Sequence, residues 1–76
     1  MNETEKTKLR ELENEVYMAE REYDGYRDAE NIIVSRLSRE MTATAGEAEY
    51  DFILEEKNSK LSEAIKALAD FKATLG

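Results

Sequence analysis

The chain has 76 residues with neither cysteine nor histidine, and 18 acidic and 11 basic residues give it a formal charge of −7. This composition excludes disulfides, thiolate and imidazole metal sites, and the commonest general base, and the charge disfavours direct binding of nucleic acid or anionic lipid. We therefore expect no enzyme, no catalytic residues, no cofactor and no metal. A cytoplasmic protein is expected, since no apolar run approaches the ~18 residues of a membrane span and the polar N-terminus does not resemble a secretory signal.

The first predicted element is a helix from Glu3 to Met41. Asn2 can cap it, with Glu3 and Glu5 in the first turn, where the helix dipole favours acidic groups. Its apolar residues alternate spacings of three and four, which is the heptad pattern of a coiled coil. This seam consists of Leu9, Leu12, Val16, Ala19, Tyr23, Tyr26, Glu30, Ile33 and Leu37.

A loop of small and β-branched residues, 42–45, is predicted to lead into a second helix, 45–75. Thr44 followed by Glu47 is typical of a capping box, and Gly76 suits the far end of the helix. Because the loop is short, the helices must fold back on each other. The predicted fold class is all-α, an antiparallel two-helix hairpin of coiled-coil type, in a single domain over residues 1–76. The second seam consists of Tyr50, Leu54, Lys57, Leu61, Ala64, Leu68, Phe71 and Leu75.

The alignment of the two helices is predicted from the one charged interruption in each seam. Glu30 falls opposite Lys57 when Leu37 faces Tyr50. Glu30 and Lys57 could form a partner site or a catalytic pair. A buried ion pair that sets the register is favoured, because coiled coils often fix their alignment with a polar group at a core position.

Two surfaces stay apolar once such a hairpin closes. One side carries small and apolar residues on which a second hairpin could pack into a four-helix bundle, so we expect a homodimer. The apolar residues near the loop predict a binding site for a protein partner, although packing within an oligomer would explain them equally well. The residues predicted to bind a partner are Met18, Gly25, Ala29, Ile32, Val34, Met41, Phe52 and Ile53.

The outer faces of the first helix are acidic. Solvation of a long helix explains most of this charge, but the stripe could also mimic nucleic-acid phosphates or steer a basic partner. The acidic residues are Glu3, Glu5, Glu11, Glu13, Glu15, Glu20, Glu22, Asp24 and Asp28.

The segment after the loop resembles a known family. Residues 46–51, with the tripeptide Ala48, Glu49 and Tyr50, followed by Glu55 and Glu56, resemble the N-terminal coiled-coil hairpin of Gre-type transcript cleavage factors. The resemblance implies a finger that enters the secondary channel of bacterial RNA polymerase. In that family two acidic residues at the tip bring a catalytic magnesium ion.

Ala43 and Gly46 occupy the positions of those two acidic residues in this chain. The resemblance therefore implies an occluding or modulating finger rather than a cleavage factor. The leading prediction is a non-enzymatic interaction protein that binds a protein partner as an adaptor, inhibitor or assembly factor, a role that small phage-encoded hairpins also suit. The alternatives are a transcription regulator acting on RNA polymerase and an acidic DNA mimic.

Overall fold

The computed structural model describes residues 1–75, and all regular structure within them is helical. Helix α1 spans Glu3–Asp28, α2 spans Glu30–Glu40 and α3 spans Ala43–Thr74. The predicted all-α fold class is confirmed, but the first predicted helix is divided in two. Gly76, predicted to follow the second helix, lies outside the described residues.

Helix α1 begins where the sequence predicts. The side-chain carbonyl of Asn2 accepts a hydrogen bond from the Glu5 N–H at 2.8 Å, and the Glu5 carboxylate accepts one from the Asn2 N–H at 3.0 Å. This reciprocal pair satisfies two backbone donors that the start of a helix leaves without intrahelical partners. The predicted Asn2 cap is confirmed.

Helix α3 begins two residues earlier than predicted. The Thr42 hydroxyl accepts a hydrogen bond from the Ala45 N–H at 3.1 Å, so Thr42 is the N-cap. The predicted capping box of Thr44 with Glu47 is wrong, because both residues lie inside α3. The earlier start adds Ala43 and Thr44 to the helix, and alanine has the highest helix propensity.

A single residue, Ala29, separates α1 from α2. Its φ of −94° and ψ of 17° depart from the usual helical values of about −63° and −42°. Alanine favours helix, so this residue does not itself explain the interruption, although Gly25 weakens the preceding turn. The physical cause lies in a contact from α3, described below.

Helices α1 and α2 both pack against α3 in a rod measuring 53 by 15 by 15 Å. Within residues 1–75, the buried hydrophobic side chains are Leu12 and Tyr50, and the remaining seam residues are mostly half-buried. Every ion pair in this part of the chain joins partly exposed side chains of one helix, and such pairs contribute little. Apolar and aromatic contacts therefore hold the helices together.

None of the helices described is both long enough and apolar enough to cross a membrane.

Candidate interaction surface

Two stacked tyrosines join α1 to α3. The ring centroids of Tyr26 and Tyr50 lie 4.8 Å apart and the ring planes are inclined by 11°. Stacked aromatic pairs contribute about 0.5–1.5 kcal/mol beyond the area they bury. Tyr50 is only 2% exposed. Because Tyr26 belongs to the last turn of α1, the stack fixes α3 beside the helix interruption.

The Tyr50 hydroxyl lies against the carbonyl groups at the end of α1. It donates a hydrogen bond to the Tyr26 carbonyl at 3.1 Å and lies 3.4 Å from the Arg27 carbonyl. Carbonyls in the last turn of a helix lack intrahelical donors, and leaving one buried without a partner costs about 1–3 kcal/mol. Insertion of a side chain into the hydrogen-bond ladder is a common cause of helix breaks. The interruption at Ala29 therefore arises from tertiary structure.

Lys57 lies over Tyr26 rather than beside Glu30. Its ammonium is 5.4 Å from the Tyr26 ring centroid, a distance at which cation–π attraction acts. No ion pair within 4.0 Å joins Glu30 to Lys57, and Glu30 is exposed. The predicted Glu30–Lys57 ion pair is therefore not formed, because an aromatic face rather than a carboxylate receives the ammonium.

The backbone of α3 closely approaches α2 at Gly46. A Cβ atom on Gly46 would lie 2.8 Å from the Ser38 backbone nitrogen and hydroxyl oxygen, and 3.0 Å from the Ser38 Cα. The predicted alignment would instead place Met41 opposite Gly46. The contact of Gly46 with Ser38 and the contact of Lys57 with Tyr26 both depart from the predicted register by roughly one helical turn.

The pKa of each stacked tyrosine is raised above its ordinary value of 10.0. Burial is the main cause for both, because the phenolate is poorly solvated in the interior. The negative charge of Glu30 further raises the pKa of Tyr50, and that of Glu49 further raises the pKa of Tyr26. The Tyr26 hydroxyl is also buried without a hydrogen-bond partner among the described residues.

We expect these two tyrosines to make the protein less stable at alkaline pH. A phenol whose pKa is raised in the folded state keeps its full contribution below the unfolded pKa and loses it as pH rises through the folded pKa. The free energy of unfolding from urea denaturation should therefore fall above about pH 10. Tyr26→Phe and Tyr50→Phe should each reduce this decline, and a wild-type pH profile in both variants would contradict the assignment.

The predicted partner-binding residues differ in their accessibility. Met18, Ile32, Met41 and Phe52 are 56%, 67%, 46% and 61% exposed, respectively. Gly25 is also exposed, whereas Ala29, Val34 and Ile53 are half-buried. Five of the eight positions are thus open to a partner.

A groove of about 380 Å³ lies beside Ile32 on α2. Asn31, Ser35, Arg36 and Arg39 line it with Ile32. Neither arginine forms an ion pair with a described carboxylate. The groove therefore combines one large exposed apolar side chain with a basic edge on a protein whose overall charge is negative.

A second cleft of about 320 Å³ lies between α2 and α3. Its lining consists of Glu30, Asn31, Val34, Glu47, Tyr50 and Asp51. The carboxylates do not converge, and residues 1–75 contain no cluster of three acidic, histidine or cysteine side chains able to hold a metal ion. Glu30 and Tyr50 both line this cleft, and the sequence did not predict that they lie near each other.

The contacts of Tyr50 and Gly46 were not predicted from the sequence. Tyrosine at a seam position is a partial signal, because a buried hydroxyl usually finds a hydrogen-bond partner. A glycine inside a helical segment is another, because it costs about 1 kcal/mol relative to alanine and is often kept for packing. Neither signal identifies the partner residue.

The chain matches no protein-family model, no curated protein and no solved structure. The resemblance of residues 46–56 to Gre-type factors stays a prediction.

Proposed function

We propose that this chain is a non-enzymatic antiparallel helical hairpin that binds a protein partner. The order of contacts supports the hairpin. Only Met41 and Thr42 connect α2 to α3, and Ser38 lies against Gly46 just beyond them. Farther from the connection, Tyr26 contacts Tyr50 and Lys57. Such a sequence of contacts is typical of two helical segments running in opposite directions.

The proposal of partner binding rests on the small number of buried apolar side chains compared with the number of large exposed ones. Two hydrophobic side chains are buried in the described part of the chain, whereas seven large ones are between 46% and 67% exposed. Scattered exposed apolar residues are normal, but a small domain with so little core gains much of its stability by covering such residues. We infer that a partner protein buries these exposed apolar side chains.

The α2 groove is the part of this surface with the most definite chemistry. Ile32 offers an apolar anchor, and Arg36 and Arg39 offer a basic edge beside it. This arrangement suits a partner with an apolar pocket bordered by carboxylates, because rim charges steer association while a central apolar contact provides affinity. Met18, Gly25 and Ala29 would extend the contact along α1, and Val34, Met41 and Ile53 would extend it toward the turn.

Replacing Ile32 with glutamate is expected to weaken partner capture by about tenfold or more, because the change buries a charge and removes the anchor. The measurement is affinity capture from a lysate of the source organism, quantified by mass spectrometry. Ile65→Glu is the matched control, since Ile65 is 51% exposed but lies on α3. Equal recovery of every captured protein by both variants would refute the α2 groove as the binding site.

A second candidate function is mimicry of nucleic acid toward a basic partner. The carboxylates of Glu11, Glu13, Glu15, Glu20 and Glu22 are exposed along α1, and none forms an ion pair with a described residue. Repeating the capture at high salt separates the two functions. A mimic loses its partner as screening increases, whereas an apolar anchor retains it.

A further inference from the structure

Helix α3 carries a second heptad seam on the side facing away from α1 and α2. Starting at Ala48, the spacing alternates four and three without interruption, as in the seam that packs against α1 and α2. All of its residues are exposed. They are Ala48, Phe52, Glu55, Ser59, Ser62, Lys66, Ala69 and Ala73.

This outer seam is complementary to an antiparallel copy of itself. Antiparallel pairing that sets Glu55 against Lys66 of a second copy also sets Phe52 against Ala69 and Ala48 against Ala73. The large side chain thus meets a small one and opposite charges meet, as interdigitated helix packing requires. The Lys66 ammonium is 3.4 Å from Asp70 in the same helix, an exposed pair that is easily exchanged.

The wider charge distribution along α3 favours the same orientation. Residues 43–56 contain five acidic and no basic residues, whereas residues 57–74 contain four lysines and two acidic residues. In an antiparallel pair the acidic half of each α3 lies along the basic half of the other. A parallel pair would juxtapose like charges, which is unfavourable.

We propose that a second copy of this chain docks on the outer seam of α3, forming a symmetric antiparallel α3–α3 dimer. The proposal goes beyond partner binding and uses a different face from the α2 groove. Because the pairing is symmetric, each Glu55–Lys66 contact occurs twice. Phe52, grouped above with residues near the turn, belongs to this seam.

The solvent-exposed surface area of the chain is consistent with the docking of a second copy. The protein exposes 5725 Å², whereas a compact monomer of the same mass would expose about 4,700 Å². The excess of about 1,000 Å² is close to the roughly 800 Å² that each partner contributes to a standard interface. A groove of about 270 Å³ beside Phe52, lined by Glu55, Glu56, Ser59 and Lys60, provides space for side chains of the second helix.

Charge reversal tests the pairing, with sedimentation equilibrium as the measurement. The wild-type chain is expected to dimerise, and Glu55→Lys or Lys66→Glu should each lower the association constant by about tenfold or more, since two ion pairs become repulsive. Mixing the two variants restores both pairs and should restore dimers. Lys8→Glu, an exposed charge reversal on α1 and outside the proposed interface, is the control. Circular dichroism checks that each variant retains its helices.

The absence of native cysteine allows the orientation to be tested separately. An oxidised mixture of Ala48→Cys and Ala73→Cys chains should form a disulfide-linked heterodimer. Ala48→Cys alone should not cross-link, because the two Ala48 positions would lie about 37 Å apart in the antiparallel pair. A monomeric wild-type chain, or variants that fail to rescue each other, would overturn the dimer while leaving the α2 groove unaffected.

Discussion

Replacing Tyr50 with alanine is expected to lower the free energy of unfolding by about 3–5 kcal/mol, the cost of deleting a buried aromatic side chain. Tyr50 is 2% exposed, stacks on Tyr26 and donates a hydrogen bond to the end of α1. Small domains have only about 5–15 kcal/mol of stability in total. The variant should therefore be largely unfolded in urea concentrations that leave the wild type folded, as measured by circular dichroism.

Tyr50→Phe separates the hydroxyl from the ring. It preserves stacking but leaves the Tyr26 carbonyl without its donor, so it should cost about 1–3 kcal/mol. Tyr17→Phe is the matched control, because Tyr17 is 53% exposed and its hydroxyl accepts a hydrogen bond only from Arg21 on the surface. If Tyr50→Phe and Tyr17→Phe unfold at the same urea concentration, the hydrogen bond to α1 does not contribute to stability.

Replacing Gly46 with alanine is expected to destabilise the protein by about 1–3 kcal/mol, as overpacking does in a tight interior. The added methyl group would lie 2.8 Å from the backbone nitrogen of Ser38. Because that atom belongs to α2, a side-chain rotation cannot relieve the contact and the two helices must separate. The alanine gains up to about 1 kcal/mol of helix propensity, which offsets only part of the cost.

Gly25→Ala is the control with the opposite expected sign. A Cβ atom on Gly25 meets nothing within 4 Å, and the residue is exposed within α1. The change should therefore raise the free energy of unfolding by about 0.5–1 kcal/mol. Thermal unfolding of both variants gives the comparison. A stabilised Gly46→Ala variant would show that α2 and α3 are not in close contact at Ser38.

The helix faces could be predicted from the sequence, but the alignment of the helices could not. Sliding α3 by one turn places seam residues opposite other seam residues, so the hydrophobic pattern hardly distinguishes the two alignments. The prediction relied on pairing Glu30 with Lys57. The structure instead joins Lys57 to Tyr26 and Gly46 to Ser38. A close backbone approach and an aromatic contact thus decide the register.

The interruption at Ala29 could not be predicted from local sequence either. Alanine and its neighbours favour helix, and the donor that terminates α1 is Tyr50, which is distant in the chain. The Asn2 cap was predictable because both of its partners lie within four residues of each other. Features formed by residues close together in the sequence, such as a helix cap, can be predicted from the sequence. Contacts between helices can be predicted only when the register of the helices is known.

The exposure of some predicted binding residues follows from local helical periodicity, whereas the exposure of others depends on the register of the helices. Met18 and Ile32 lie on the outer faces of their helices, and their exposure follows from helical periodicity alone. Val34 was expected to lie outside the seam, yet it is half-buried beside Tyr50 in the cleft between α2 and α3. Its neighbours depend on the register, so its environment was not predictable.

The two-residue connection between α2 and α3 has a consequence for the order of folding. Closing so short a loop costs little chain entropy, so the pairing of Ser38 with Gly46 can nucleate first. In the proposed hairpin, each later contact extends the pairing of the helices toward the chain ends, and Leu12 is the buried side chain near the N-terminus. The ends are expected to fray most readily, while the turn persists as the last native segment to melt.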